Sequence, residues 1–188
     1  NIETVNATAS GTLVVNLANT ESTFDSLKSV SSGTNDVSFN DIAVMPGKVG
    51  ITNGDGDLTV NLKAGPVSGT ADTINIELAG AGTDATLTIT DDSTTGKINA
   101  ATINSISSAN TLATLALDGA SSLSVTGDQS LSLTQALEAT VTTVDASGMT
   151  GVVGLTMSAE PAAAAITITG SGGVDSLVAT DTGKDNIS

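Results

Sequence analysis

The sequence predicts an all-β chain wound as a parallel β-helix, or β-solenoid, with a β-sandwich as the alternative. Three observations point there. Apolar residues alternate with Thr, Ser or Asn in short runs along the whole chain, the signature of half-buried strands. Clusters of Gly, Asn, Asp and Ser separate those runs and supply turns. The apolar residues are small and aliphatic, with Phe24 and Phe39 as the only aromatics and no Trp or Tyr. Coils built from them can stack without bulky plugs, whereas an immunoglobulin-type sandwich would lack its usual buried Trp and Tyr.

Taken in order, Leu13, Val15 and Leu17 open the series. Phe24-Asp25-Ser26-Leu27-Lys28-Ser29-Val30 predicts a helical turn, capped by Thr23. Strict alternation then returns in Leu58 to Leu62, Ile74 to Leu78, Leu87 to Thr90, Leu123 to Thr126 and Leu131 to Thr134. Gln135-Ala136-Leu137-Glu138-Ala139, behind Thr134, predicts a second helical turn. Leu155 to Met157 and Ile166 to Thr169 are strands again, and Glu160 to Ala165 between them reads as a loop. Strand centres recur roughly every 8–15 residues, which fits a solenoid or a sandwich. Loosely similar segments favour the solenoid: Ile2-Glu3-Thr4-Val5-Asn6, Asp72-Thr73-Ile74-Asn75-Ile76 and Val141-Thr142-Thr143-Val144-Asp145. Outward Thr, Ser and Asn at like positions would then form ladders. No Pro-rich or charged linker divides the chain, so residues 1–169 read as one elongated domain.

Composition narrows the function. The 188 residues include 20 Asp and Glu against five lysines (Lys28, Lys48, Lys63, Lys97 and Lys184), a net charge of −15. Charged residues are only 13% and apolar ones 39%, so the chain is an acidic folded protein and not a solvated tail. Without His or Cys there is no imidazole base, thiolate nucleophile or structural zinc site. Neither a G-x-S-x-G elbow nor H-E-x-x-H is present, and no enzymatic activity is expected. Five lysines and two aromatics give no counter-charge or stacking platform for nucleic acid. The sequence has no apolar run long enough for a membrane span, so no membrane insertion is expected. Surplus carboxylates, Asn and backbone carbonyls suit a hard cation, above all Ca²⁺. Beginning at Asn1 without Met or a signal peptide, the chain reads as a fragment of a longer protein, exported by a C-terminal signal.

One motif carries chemistry. Gly170-Ser171-Gly172-Gly173-Val174-Asp175-Ser176-Leu177-Val178 matches the calcium-binding nonapeptide G-G-x-G-x-D-x-U-x at Gly170, Gly173, Asp175 and Leu177, with Gly172 inside it, and departs at Ser171. Gly183-Lys184-Asp185-Asn186-Ile187-Ser188 repeats its second half, with Thr180 to Thr182 in place of glycines. Glycines would give positive φ and inward carbonyls, Asp the carboxylate, and the apolar residue a short strand. Residues 170–188 thus read as the start of degenerate calcium-binding repeats, with a half-built site that further repeats would complete. Asn53, Asp55 and Asp57 form a weaker candidate with oxygen ligands at alternate positions. Ala64 stands where an EF-hand needs Glu, so that loop reads as a turn.

Ile2-Glu3-Thr4-Val5-Asn6, Val144-Asp145-Ala146-Ser147-Gly148-Met149-Thr150-Gly151 and Ile166 to Leu177 resemble the surface-layer proteins of Gram-negative bacteria that carry RTX repeats. The likeness is ordered over residues 141–188 and looser elsewhere. It implies a right-handed β-solenoid and type I secretion to the extracellular cell surface. It also implies calcium-dependent self-assembly into a lattice or filament, and attachment to lipopolysaccharide through another region. Gly170, Gly173, Asp175, Gly183 and Asp185 are the calcium positions it implies. A repetitive adhesin or a glycan- or ice-binding module is the alternative function, which a flat face of regularly spaced Thr would favour.

Overall fold

The computed structural model describes residues 4–18, 23–67, 69, 71–93, 97–159, 165–178 and 185–188. Its strands fall into successive coils. The first holds β1 (Thr4–Ala7) and β2 (Leu13–Asn16); the second, β3 (Ser26–Gly33) and β4 (Val37–Ile42). The third holds β5 (Val49–Gly54) and β6 (Leu58–Leu62), and the fourth β7 (Thr73–Ala81) and β8 (Thr86–Asp91). In the fifth stand β9 (Ala100–Ser105), β10 (Asn110–Leu112) and β11 (Thr114–Leu117). The sixth has β12 (Ser122–Gly127) and β13 (Leu131–Leu133), and the seventh β14 (Thr143–Met149) and β15 (Leu155–Met157). The eighth has β16 (Thr167–Thr169) and β17 (Ser176–Leu177), and β18 (Asn186–Ile187) begins a ninth.

Each of these strands pairs in parallel with its counterpart one coil away and not with its neighbour along the chain. Sheet A runs β1-β3-β5-β7-β9-β12-β14-β16-β18; sheet B is β2-β4-β6-β8-β11; sheet C is β10-β13-β15-β17. This is a parallel β-solenoid. The sandwich is set aside, because sandwiches are built of antiparallel strands.

Inward residues stack in aliphatic columns. In sheet A, Val5 lies under Leu27, then Val49, Ile76, Ile103 and Val125. In sheet B, Val15, Phe39, Val60, Ile89 and Leu117 form another. From Leu27 to Val125 in sheet A and from Phe39 to Leu117 in sheet B these positions are almost wholly sealed from solvent. Each removes apolar surface worth about 1.5–3 kcal/mol per large side chain from water, so the core is one continuous rod. Coil length varies: Val5 to Leu27 spans 22 residues, Val49 to Ile76 spans 27. The similar segments at 72–76 and 141–145 do share a register, with Ile74 and Val144 in one column through Ala101 and Leu123.

Two expectations are corrected. Ser26–Gly33 is strand β3, not a helical turn, because Leu27 fills the column between Val5 and Val49 and Phe24 is buried beside it. Residues 135–139 form no helix either; they loop over the exposed edge of sheet B. Thr134 donates its hydroxyl back to the Ala113 carbonyl at 3.1 Å, Leu137 enters the core, and Glu138 accepts the Leu117 amide at 3.1 Å. Burying that edge outweighs local helix propensity. Among the described residues the one helical segment is the 3₁₀ turn Gly65–Val67, and no helix is long and apolar enough to cross a membrane. The expected loop at Glu160 to Ala165 lies, but for Ala165, outside the described residues.

Candidate functional site

Parallel coils leave backbone amides at each corner without a ladder partner, and such groups need an acceptor when shielded from water. Asp and Asn side chains supply it repeatedly. Asp36 Oδ1 accepts the Asp57 amide at 3.1 Å, and Asp57 Oδ1 accepts the Thr86 amide at 3.0 Å, one coil further on. Asn99 Oδ1 accepts the Asp72 amide at 2.8 Å. Asn110 is the most buried case: its Oδ1 accepts from Gly80 (2.7 Å) and Ala81 (2.8 Å), and its Nδ2 donates to the Leu78 and Ser108 carbonyls. No local pattern marks Asn110, since its role depends on a corner some 30 residues earlier.

The calcium candidates belong to the same device. Asp175 Oδ1 accepts the Leu155 amide and the Ser171 hydroxyl, each at 2.8 Å, and Oδ2 accepts the Ser171 amide at 2.8 Å. Ser171, the departure from the nonapeptide, therefore closes the turn on the carboxylate. Asp185 Oδ1 accepts the Ile166 amide at 3.1 Å. Asp175 precedes a strand of sheet C and Asp185 a strand of sheet A, so the two stand at different corners. Gly170, Gly172 and Gly173 do not adopt positive φ. At Gly173 the reason for glycine is closeness: a Cβ there would collide with the Val153 carbonyl of the coil below. Gly183 lies outside the described residues.

In the weaker candidate, Asn53 takes φ +50° at the end of β5, Asp55 donates its amide to Gly33, and Asp57 caps Thr86 as above. The segment is a coil corner between sheets A and B. Asp55 Oδ1 is buried without a hydrogen-bond partner. Calcium takes roughly six to eight oxygen ligands, and no three carboxylates converge among the described residues. Among the described residues no complete calcium shell is formed.

Outward columns on sheet A form the second feature. Lys48, Asn75, Thr102, Ser124, Asp145 and Thr169 follow one another in consecutive coils, and Ser122, Thr143 and Thr167 stand beside them. Asp145 accepts the Ser147 hydroxyl and amide (amide at 2.9 Å), which hold its carboxyl below the usual range. Lower on the face, Lys28 reaches across Gly50 to Glu77, which also binds Lys48 at 2.6 Å. Gly50 makes this possible, since a Cβ there would strike the Glu77 carbonyl. Burial pushes the Glu77 carboxyl up, but the hydrogen bonds and charges of the two lysines outweigh it and hold it low. On sheet B, Asn61 Nδ2 donates to Asn40 Oδ1 at 2.6 Å and Thr90 donates to Asn61, a polar ladder of the kind expected.

No family model matches the chain, and no curated protein or solved structure is similar to it.

Proposed function

We propose that this chain is a non-catalytic structural segment of a secreted bacterial surface protein, one that assembles with copies of itself in a calcium-dependent layer or filament. The observation that supports the reading most is the continuous rod of stacked coils, whose conspicuous polar groups serve the backbone. Asp175, Asp185, Asp57, Asp36 and Glu138 each cap a neighbouring amide. At a net charge of −15, copies repel one another, and a divalent cation that neutralises them favours an extended assembly. Ca²⁺ acts in this reading between acidic corners of neighbouring molecules and in further repeats of the 170–188 type. The resemblance to RTX surface-layer proteins adds secretion, the cell surface and a lipopolysaccharide anchor elsewhere in the protein.

Negative-stain microscopy and light scattering of the protein in millimolar Ca²⁺ and in EDTA test the proposal. Ordered assemblies with Ca²⁺ that disperse in EDTA are expected. A full-length protein that stays monomeric in Ca²⁺ would sink it. The columns of Thr, Ser and Asn on sheet A favour a second reading, an adhesive face for a neutral glycan or ice, which a glycan array and an ice-recrystallisation assay would detect.

A further inference from the structure

We infer that the outer face of sheet A is a contact between two copies of this chain, related by a twofold axis along β9 in the contact plane, which sets Lys48 of each copy opposite Asp145 of the other. The inference rests on the assembling role proposed above and names the surface that would serve it.

Two copies at −15 each cannot meet through faces studded with carboxylates. On the strands of sheet A from β7 to β16, the outward acids are Glu77 and Asp145 alone among the described residues, and Glu77 is held by two lysines. The other outward positions are short and uncharged. A neutral ligand would not require acids to be cleared from a face; an acidic partner does, and a second copy is such a partner.

Charge pattern then fixes the arrangement. Asn75, Thr102, Ser124 and Asp145 occupy one column in four consecutive coils. Lys48, the residue just before β5, continues it one coil down beside Val49, which pairs with Ile76; Thr102 is at the middle. A twofold along β9 reverses the order of coils and keeps each residue's place along the strand. Thr102 then meets its own copy, Asn75 meets Ser124, and Lys48 meets Asp145 twice. The Lys28–Lys48–Glu77 cluster carries one net positive charge, matched to the single charge of Asp145. Facing sheets pack about 10 Å apart, a gap that a Lys and an Asp bridge, and strands about 4.8 Å apart put the two ion pairs some 19 Å from each other. With two or three outward residues on most of the nine strands and one on β18, the face covers roughly 400–450 Å² per copy. The total, about 850 Å², is the size of a weak contact. Weak pairs of this size suit an extended assembly that multiplies them.

Sedimentation equilibrium of the 188-residue chain at pH 7 across a range of NaCl concentrations tests the inference. A dimer that forms in about 0.15 M NaCl, where the repulsion between two copies at −15 is screened, and fades towards about 1 M as the ion pairs are screened in turn, is expected. Asp145→Lys should weaken it at least tenfold, as should Thr102→Arg on the axis, which leaves the lysine cluster untouched. The swap Lys48→Asp with Asp145→Lys should restore association to within about threefold, with circular dichroism confirming the fold of each variant. A wild type that is monomeric near 1 mM, an Asp145→Lys chain that dimerises normally, or a swap no better than its parts would overturn it. So would a monomeric chain retained by an insoluble neutral polysaccharide, which would hand the face to that ligand. Calcium-driven assembly that persists in Asp145→Lys defeats this contact and leaves the proposed function standing; a charge-paired dimer without any calcium-dependent layer does the reverse.

Discussion

The Asn110 side-chain oxygen lies 2.7 Å from the Gly80 amide nitrogen one coil below, while its amide nitrogen reaches the Leu78 and Ser108 carbonyls. The residue is 1% exposed, and both ends of one short side chain are satisfied where sheet C begins. Asn110→Ala takes this partner from the Gly80 and Ala81 amides and the Ser108 carbonyl and should destabilise by about 2–4 kcal/mol. Asn110→Asp should do no better, because an oxygen would then face those carbonyls. Thermal unfolding by circular dichroism checks both; an unchanged midpoint would contradict the role.

Gly50 is the second structural test. With Ala there, the new Cβ meets the Glu77 carbonyl oxygen, so β5 and β7 must part and Lys28 loses its path to Glu77. Gly50→Ala is expected to cost about 3 kcal/mol or more, beyond ordinary surface substitutions. Native-state hydrogen exchange should show the loss centred on β5 and β7.

Glu77 and Glu138 should shift stability with pH in opposite directions. The Glu77 carboxyl is held low by Lys28 and Lys48 against the effect of burial. Its contribution is present above the unfolded pKa and is lost as pH falls through the folded one. The Glu138 carboxyl is raised, first by burial, although the Gly119 and Leu117 amides pull it down. Its folded form favours the proton, so stability is greatest below the unfolded pKa and declines as pH rises through the folded one. Glu77→Gln should therefore destabilise at pH 7 and matter little near pH 3. Glu138→Gln, which keeps the acceptor oxygen, should gain on wild type as pH rises from 4 to 7. Melting curves across that range read both signs.

Asp175 separates capping from metal binding. Asp175→Ala removes acceptors for Leu155 and Ser171, a loss of about 1–3 kcal/mol. The loss should be equal in EDTA and in Ca²⁺. A loss seen only with Ca²⁺ would make Asp175 a ligand of this chain.

The strands were legible because period-two alternation survives any coil length, and the small aliphatic set pointed to stacked coils. The repeat was not, since Val5 to Leu27 takes 22 residues and Val49 to Ile76 takes 27. Helical turns at 24–30 and 135–139 follow from local propensity, which Leu27 and Leu137 override by filling columns of the core. Asp175 illustrates the limit at the site. An aspartate just before a short strand has the same spacing whether it holds a metal or an amide, and the amide that Asp175 caps, that of Leu155, comes from the coil below and leaves no local mark in the sequence.

In the function proposed above, the rod stands on coil stacking and amide caps, and calcium acts between molecules. Thermal unfolding of the 188-residue chain at low concentration, in EDTA and in millimolar Ca²⁺, tests this most directly. The midpoint should agree within about 2 °C in the two conditions, since a ligand bound only between copies adds no stability to the separate chain. Loss of the β-sheet signal in EDTA at room temperature would show that calcium is needed for the fold itself and would contradict the account.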